Sequence, residues 1–286
     1  MTRWLALVAA VGVVAVGAFA ATAWVAGGDD DPPAPTTTAA PPLTRLRIIF
    51  PEGFAVAEMA DRVAAVRDIA IAKRGVTPRL TKAGYLRAVE AAKAPARFRK
   101  DMKRDSLEGF LFPALYEFTR RTTARELVAD QLRAFRQRFR DVDLSYARSK
   151  NLTPYDVLII ASMIEKETAV PRERRLVSAV IYNRLRNRMP LGIDATVRYG
   201  LDIPGTESLT KEALRSSSPY NTRRRTGLPP TPIANPGLAS IRAAANPARG
   251  VDYLYYVRKP SSKAHYFTSS ESDFLRKVCE YGYACD

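Results

Sequence analysis

The chain has 286 residues, of which 47% are hydrophobic and 26% charged, a globular composition long enough for one large or two modest domains. With 45 Lys+Arg against 29 Asp+Glu, the formal net charge is +16, which points to an anionic partner: nucleic acid, a lipid surface or an acidic polymer. A lone histidine, His265, would have to carry any Ser-His-acid hydrolase, and with two cysteines it makes no zinc site unless carboxylates supply ligands. Neither a glycine-rich phosphate loop nor a dinucleotide fingerprint is present, so no cofactor and no metal are expected.

In chain order, Trp4–Ala26 is an uncharged apolar run preceded by Arg3 and followed by acids. As a helix it would reach roughly 35 Å, enough to cross a bilayer. The flanking charges predict a cytoplasmic N-terminus and an extracytoplasmic body. A cleaved signal peptide is the alternative, since Ala18-Phe19-Ala20 has the small-x-small pattern, but one arginine and a long apolar run favour an uncleaved anchor. Export in either form argues against nucleic acid as the partner. Residues 1–27 are thus read as cytoplasmic tip and transmembrane helix, and 28–43 as a Pro/Thr-rich linker that reaches at most about 50 Å when extended.

Residues 44–100 read as a small α/β module. Leu46, Ile48 and Phe50 alternate as in a strand, Pro51-Glu52-Gly53 is a turn, Val56–Val66 has helical apolar spacing, and Thr81–Ala92 predicts a second helix. Ser106–Pro113 reads as an aromatic loop leading to Tyr116 and Phe118, and Thr123–Phe139 as a basic amphipathic helix. The segment 153–170 has Thr153 as a cap, Pro154 at the first helical position and Asp156 as a capping-box acid. It is then apolar or small from Val157 to Ile164, as a buried helix would be. It ends in Glu165-Lys166-Glu167. Pro171–Arg188 predicts a further helix. From Met189 the pattern turns to loop chemistry, broken by short helices at 210–214 and 238–245. Tyr253–Val257 and His265–Thr268 predict a hairpin, and Glu271–Cys279 a last helix. Cys279 and Cys285 are spaced for a small disulfide loop.

Glu165 and Glu167 are two apart, so a helix sends them about 200° apart and they cannot form a paired-carboxylate site. Periodicity does not choose between them. A glutamate at a helix C-terminus among apolar groups has reason to hold its proton, because both the helix dipole and burial oppose its charge. A neutral glutamate in a cleft is what glycosidic-bond cleavage needs as general acid.

A set of motifs then adds a resemblance. Ile160-Ala161-Ser162-Met163-Ile164-Glu165-Lys166-Glu167-Thr168-Ala169-Val170 with Val180-Ile181-Tyr182-Asn183-Arg184-Leu185 resembles the signature of the YceG/MltG-like endolytic murein transglycosylases. Leu191–Gly200 is similar to that family's L-x-x-D-P-T-V-x-Y-G, with Ala195 in place of the usual proline. Ser218-Pro219-Tyr220-Asn221-Thr222, Gly227-Leu228-Pro229-Pro230, Pro232–Gly237 and Leu107–Pro113 match its other loop motifs. The resemblance implies an α+β chain with a transmembrane helix, a shortened LysM-like module (44–100) and a mostly helical catalytic domain (101–286) with a short β-hairpin. It further implies a lyase that cuts the MurNAc-β-1,4-GlcNAc bond of peptidoglycan glycan strands, leaving 1,6-anhydroMurNAc ends, beside the cell-wall synthesis machinery. Glu167 would be the catalytic acid and base. Asp194, Tyr220 and Asn221 are candidate sugar contacts, with loop fixing as the alternative role for Asp194 and Asn221; Glu165 is expected to be structural, paired with an arginine of 171–188. A non-catalytic cell-wall scaffold of the same fold is the rival reading.

Overall fold

The computed structural model describes residues 43–283. The apolar run Trp4–Ala26, the linker up to residue 42 and Cys285 lie outside the described residues; Cys279 is disulfide-bonded. Among the described residues no helix is long and apolar enough to cross a membrane.

The described chain is a helix-rich α+β structure with two small antiparallel sheets. Strand β1 (Leu46–Ile49) is followed by α1 (Val56–Arg74), α2 (Lys82–Ala91) and the single turn α3 (Ala96–Arg99). Next come β2 (Leu115–Phe118), α4 (Ala124–Arg140), α5 (Ser145–Ser149) and α6 (Pro154–Glu167). A 3₁₀ turn (Pro171–Glu173) leads into α7 (Arg174–Arg186), then α8 (Asp194–Leu201), α9 (Lys211–Arg215) and α10 (Leu238–Ala245). The hairpin β3 (Tyr255–Arg258) and β4 (His265–Thr268) precedes α11 (Glu271–Glu280).

Strand β1 buries Leu46 and Ile48 and exposes the residues between, the alternation expected of a half-buried strand. Its partner is β2, in register Leu46↔Phe118 to Ile49↔Leu115. Residues 44–100 therefore share a sheet with the chain beyond residue 100, and also a core: the buried Tyr85 hydroxyl of α2 donates to Gln131 Oε1 of α4 at 2.7 Å. Strand β2 has no clear signal in the sequence, where it reads as the end of a loop. Its four residues bury only Phe118 fully, too short and too exposed an alternation to register. Asp194–Leu201 also reads as loop but is helical; no side chain caps its N-terminus and Gly200 stands within it.

Helix α6 is the centre. The Thr153 hydroxyl accepts from the Asp156 amide (3.1 Å) while Asp156 Oδ2 accepts from the Thr153 amide (2.8 Å), the reciprocal cap expected from the sequence. Tyr155 and every residue from Val157 to Ile164 are buried, with α10 and α7 packed against the helix. Beneath it, Phe98, Phe110, Phe135 and Phe139 form an aromatic cluster of edge-to-face and tilted pairs with ring centroids 5.0–5.6 Å apart, and Phe110 also stacks on Tyr155.

Gly109, next to that cluster, has φ +90°, and a Cβ there would stand 2.7 Å from Pro232 Cγ and 3.2 Å from Leu158 Cδ2. Backbone strain and overpacking then act together, so Gly109→Ala is expected to destabilise the protein by about 2–4 kcal/mol. Urea unfolding measures this; a change within experimental error would contradict the packing described.

Candidate active site

The 200° separation of Glu165 and Glu167 sends them into different surroundings. Glu165 accepts from the Gly237 amide at 2.9 Å and lies 3.8 Å from Arg174 Nη2, both side chains of the pair largely buried. Arg174 is fixed in turn by its Nε donating to Ser240 Oγ (3.1 Å), so Glu165 joins the start of α7 to the start of α10. The expected pairing of Glu165 with an arginine of 171–188 is what the structure contains. Lys166 donates to the Gly53 carbonyl at 3.2 Å.

Glu167, the last residue of α6, is partly buried and accepts a hydrogen bond on Oε2 from the Tyr256 hydroxyl of β3 at 3.0 Å. Burial pushes its carboxyl up to about 7, and the negative charge of Asp194 adds to this; the Tyr256 hydrogen bond and Arg223 act in the opposite direction. Near neutral pH such a carboxyl is divided between acid and carboxylate, the condition for donating a proton and taking one back.

The predicted sugar contacts fall into two kinds. Asp194, the first residue of α8, is half-exposed and ion-paired with Arg223, close enough to raise the Glu167 carboxyl. Asn221 is fully buried. Its Nδ2 donates to the Leu214 and Ser216 carbonyls (3.0 and 2.9 Å) and its Oδ1 accepts from the Arg223 amide (3.1 Å), so it holds the loop that presents Arg223. Tyr220 is also buried, its ring edge-on to Tyr199 and its hydroxyl 2.8 Å from Thr231 Oγ1. A Cβ on Gly200 would lie 2.5 Å from Tyr220 Cβ, which is why α8 carries a glycine at that point.

Three further residues belong here whose roles the sequence does not give, although Arg184 and Glu108 lie within its motifs. Tyr256 lies on a four-residue strand, and nothing local distinguishes it from its neighbours. Arg184 Nε donates to the Leu254 carbonyl (2.6 Å) and its Nη1 to the Leu191 carbonyl (2.8 Å), joining the approach to β3 to the loop before α8. Glu108, only 3% exposed, accepts from the Val56 amide at the start of α1, from Asn235 Nδ2 (2.8 Å) and from the Tyr199 hydroxyl (3.2 Å). Burial lifts this carboxyl also to about 7, against the hydrogen bonds from Val56 and Tyr199. Glu108 thereby ties α1, α8 and the 231–237 loop together.

The sequence pattern of the YceG-like family matches residues 36–280. The chain belongs to that family. An endolytic murein transglycosylase of Streptococcus pneumoniae (strain ATCC BAA-255 / R6) is 31% identical over 261 residues, covering 84% of this chain and 45% of the relative. One from Bacillus subtilis (strain 168) is 36% identical over 166 residues, covering 58% and 45%. The chain thus spans less than half the length of these curated relatives. The crystal structure of a YceG-like protein from Listeria monocytogenes superposes with a TM-score of 0.66 at 28% identity, over 81% of this chain and 75% of that one.

The elevated carboxyl has a thermodynamic signature. An unfolded glutamate titrates near 4.3, whereas folded Glu167 keeps its proton to about pH 7. Between those values the folded state binds the extra proton, so this group's contribution to stability declines as pH rises through the window and is level above it. Glu167→Gln is expected to match the wild type near pH 4 and to exceed its stability by about 3–4 kcal/mol near pH 8. Denaturant unfolding at the two pH values decides; an equal difference at both would contradict the assignment of burial as the dominant cause.

Proposed function

We propose that this chain is an endolytic peptidoglycan transglycosylase in which Glu167 serves first as general acid and then as general base. The observation that carries the reading is the pairing of one partly buried, readily protonated carboxyl with a neighbouring acid, Asp194, that is already engaged by an arginine. Relatives named endolytic murein transglycosylases support the choice of substrate class.

Neutral Glu167 gives its proton to the oxygen linking MurNAc C1 to GlcNAc, and that bond breaks with positive charge developing at C1. The Glu167 carboxylate then takes the proton of the muramoyl C6 hydroxyl, whose oxygen bonds to C1 and closes the 1,6-anhydro ring. Acid and base steps use the same group, and the proton count closes without water. Hydrolytic glycosidases need a second carboxylate to activate water or attack C1. Here the second carboxylate is the paired Asp194, which suits hydrogen bonding to sugar hydroxyl and amide groups. Tyr220 and Asn221 act from behind, shaping the wall that carries Arg223.

The apolar run Trp4–Ala26 would anchor the chain as a single-pass membrane protein, with the linker keeping the catalytic body within about 50 Å of the bilayer on the extracytoplasmic side. The module 44–100 is proposed as LysM-like, and the net charge of +16 suits an anionic polymer beside a membrane. Glycan strands being made or remodelled by cell-wall synthesis enzymes are the expected partners.

Digestion of purified glycan strands by wild type, Glu167→Gln and Glu165→Gln tests the assignment. Loss of a general acid is expected to lower cleavage at least about 10²–10⁴-fold in Glu167→Gln, while folded Glu165→Gln stays active. An active Glu167→Gln variant, or wild-type protein that binds strands and releases no product, would overturn it. Wild-type activity is also expected to fall as pH rises through about 7, as the acid form of Glu167 is lost; activity that keeps rising to pH 9 would contradict this.

A further inference from the structure

A carboxylic acid has two oxygens, and a general acid is effective only when the proton is on the one that faces the leaving group. On the hairpin, Tyr256 pairs with Phe267 and shares a sheet face with Phe267 and His265. The His265 ring meets the Tyr256 ring edge-on at 5.4 Å and Phe267 lies at 5.8 Å, so the phenol is gripped along its length. His265 is itself fixed. Its backbone amide donates to both Glu173 carboxylate oxygens (3.1 and 3.2 Å) and its Nδ1 lies 2.8 Å from Glu173 Oε2, with both side chains buried. Glu173 stands in the 3₁₀ turn six residues beyond Glu167, so the hairpin is clamped to the segment that leaves α6.

We infer that Tyr256 is a positioning residue that dictates which oxygen of Glu167 carries the proton. Its hydroxyl donates to Oε2, and the better acceptor of the two oxygens in a neutral carboxylic acid is the carbonyl-type one. The acid proton therefore resides on Oε1. After proton transfer the same bond becomes charge-assisted and stronger, steadying the carboxylate in the interval before it accepts the C6 hydroxyl proton. The groups facing Glu167 are Tyr256 from β3, Asp194 from α8 and Arg223 from the loop between α9 and α10; Arg184 of α7 and the Glu173–His265 pair stand around Tyr256. Tyr256 is the one member of this set that hydrogen-bonds Glu167 among the described residues.

This inference rests on Glu167 being the catalytic acid, and two readouts separate them. In full-length protein carrying ¹³C-labelled glutamate, the Glu167 carboxyl resonance is assigned by its loss in Glu167→Gln and titrated without substrate. Tyr256→Phe is expected to move its midpoint upward by about one unit, because burial is then opposed by one interaction fewer. The alkaline limb of kcat/KM should move upward with it, and kcat should fall about tenfold or more with little change in KM. Tyr256→3-fluorotyrosine, a stronger donor of nearly the same shape, should move the midpoint downward, which keeps the test open if the phenylalanine variant folds poorly. An unmoved midpoint in both variants overturns the inference. A midpoint that moves while the activity profile stays in place upholds the hydrogen bond and removes Glu167 from the role of acid.

Discussion

Burial of α6 on every side is the constraint on which the rest depends. A helix buried all round from Val157 to Ile164 cannot slide or rotate without disrupting the packing there, so the residue at its end is firmly placed. The reciprocal Thr153–Asp156 cap fixes where the helix begins, and Thr168 closes it by donating both its amide and its hydroxyl to the Ile164 carbonyl. Ser162, in the middle of the apolar run, donates to the Ile159 carbonyl and accepts from the Ile233 amide, and so draws the 231–237 loop onto the helix. Two glutamates emerge from this frame on opposite sides, and the groups they meet decide their roles.

Glu165 meets a cation and an amide donor. An arginine and a backbone amide hold it as a structural bridge, and Glu52 beside it has its own carboxyl raised by burial and by the Glu165 charge. Glu167 meets an aromatic hairpin, one hydroxyl donor and a nearby acid, surroundings that resist ionisation. The contrast obeys the rule that neighbouring carboxyls in different environments take different roles. Glu108 stands in a third situation. It is deeply buried yet saturated by three donors, and its work is to hold elements together.

Much of this is legible in the residues. The cap of α6, its burial and the exclusion of a glutamate pair all accord with helical periodicity and elementary electrostatics, which act within a few residues of chain. The choice of Glu167 rests on the family resemblance, and the environments of the two glutamates supply a physical reason for it. The Leu107–Pro113 segment is visible as a motif, but its purpose is not: Glu108 serves an amide fifty-two residues earlier, and Gly109 is needed because Pro232 comes against its α-carbon. Tyr256 is out of reach for a similar reason. Its partner is eighty-nine residues away, and a four-residue strand in a two-stranded hairpin carries too little alternation to say which side chain faces a site. Asn221 differs in kind from a sugar contact. A buried amide serving two carbonyls and one amide is a loop fastener, a distinction that depends on tertiary burial and has no sequence signature.

If one carboxyl performs both proton transfers with the muramoyl C6 hydroxyl as nucleophile, water never enters the bond that is made. Digestion of glycan strands in H₂¹⁸O, followed by mass spectrometry of the new ends, tests that claim most directly. Anhydro ends with no ¹⁸O incorporated are expected. One ¹⁸O atom per cut, at reducing ends, would show that water is the nucleophile and that a second catalytic group has to be found.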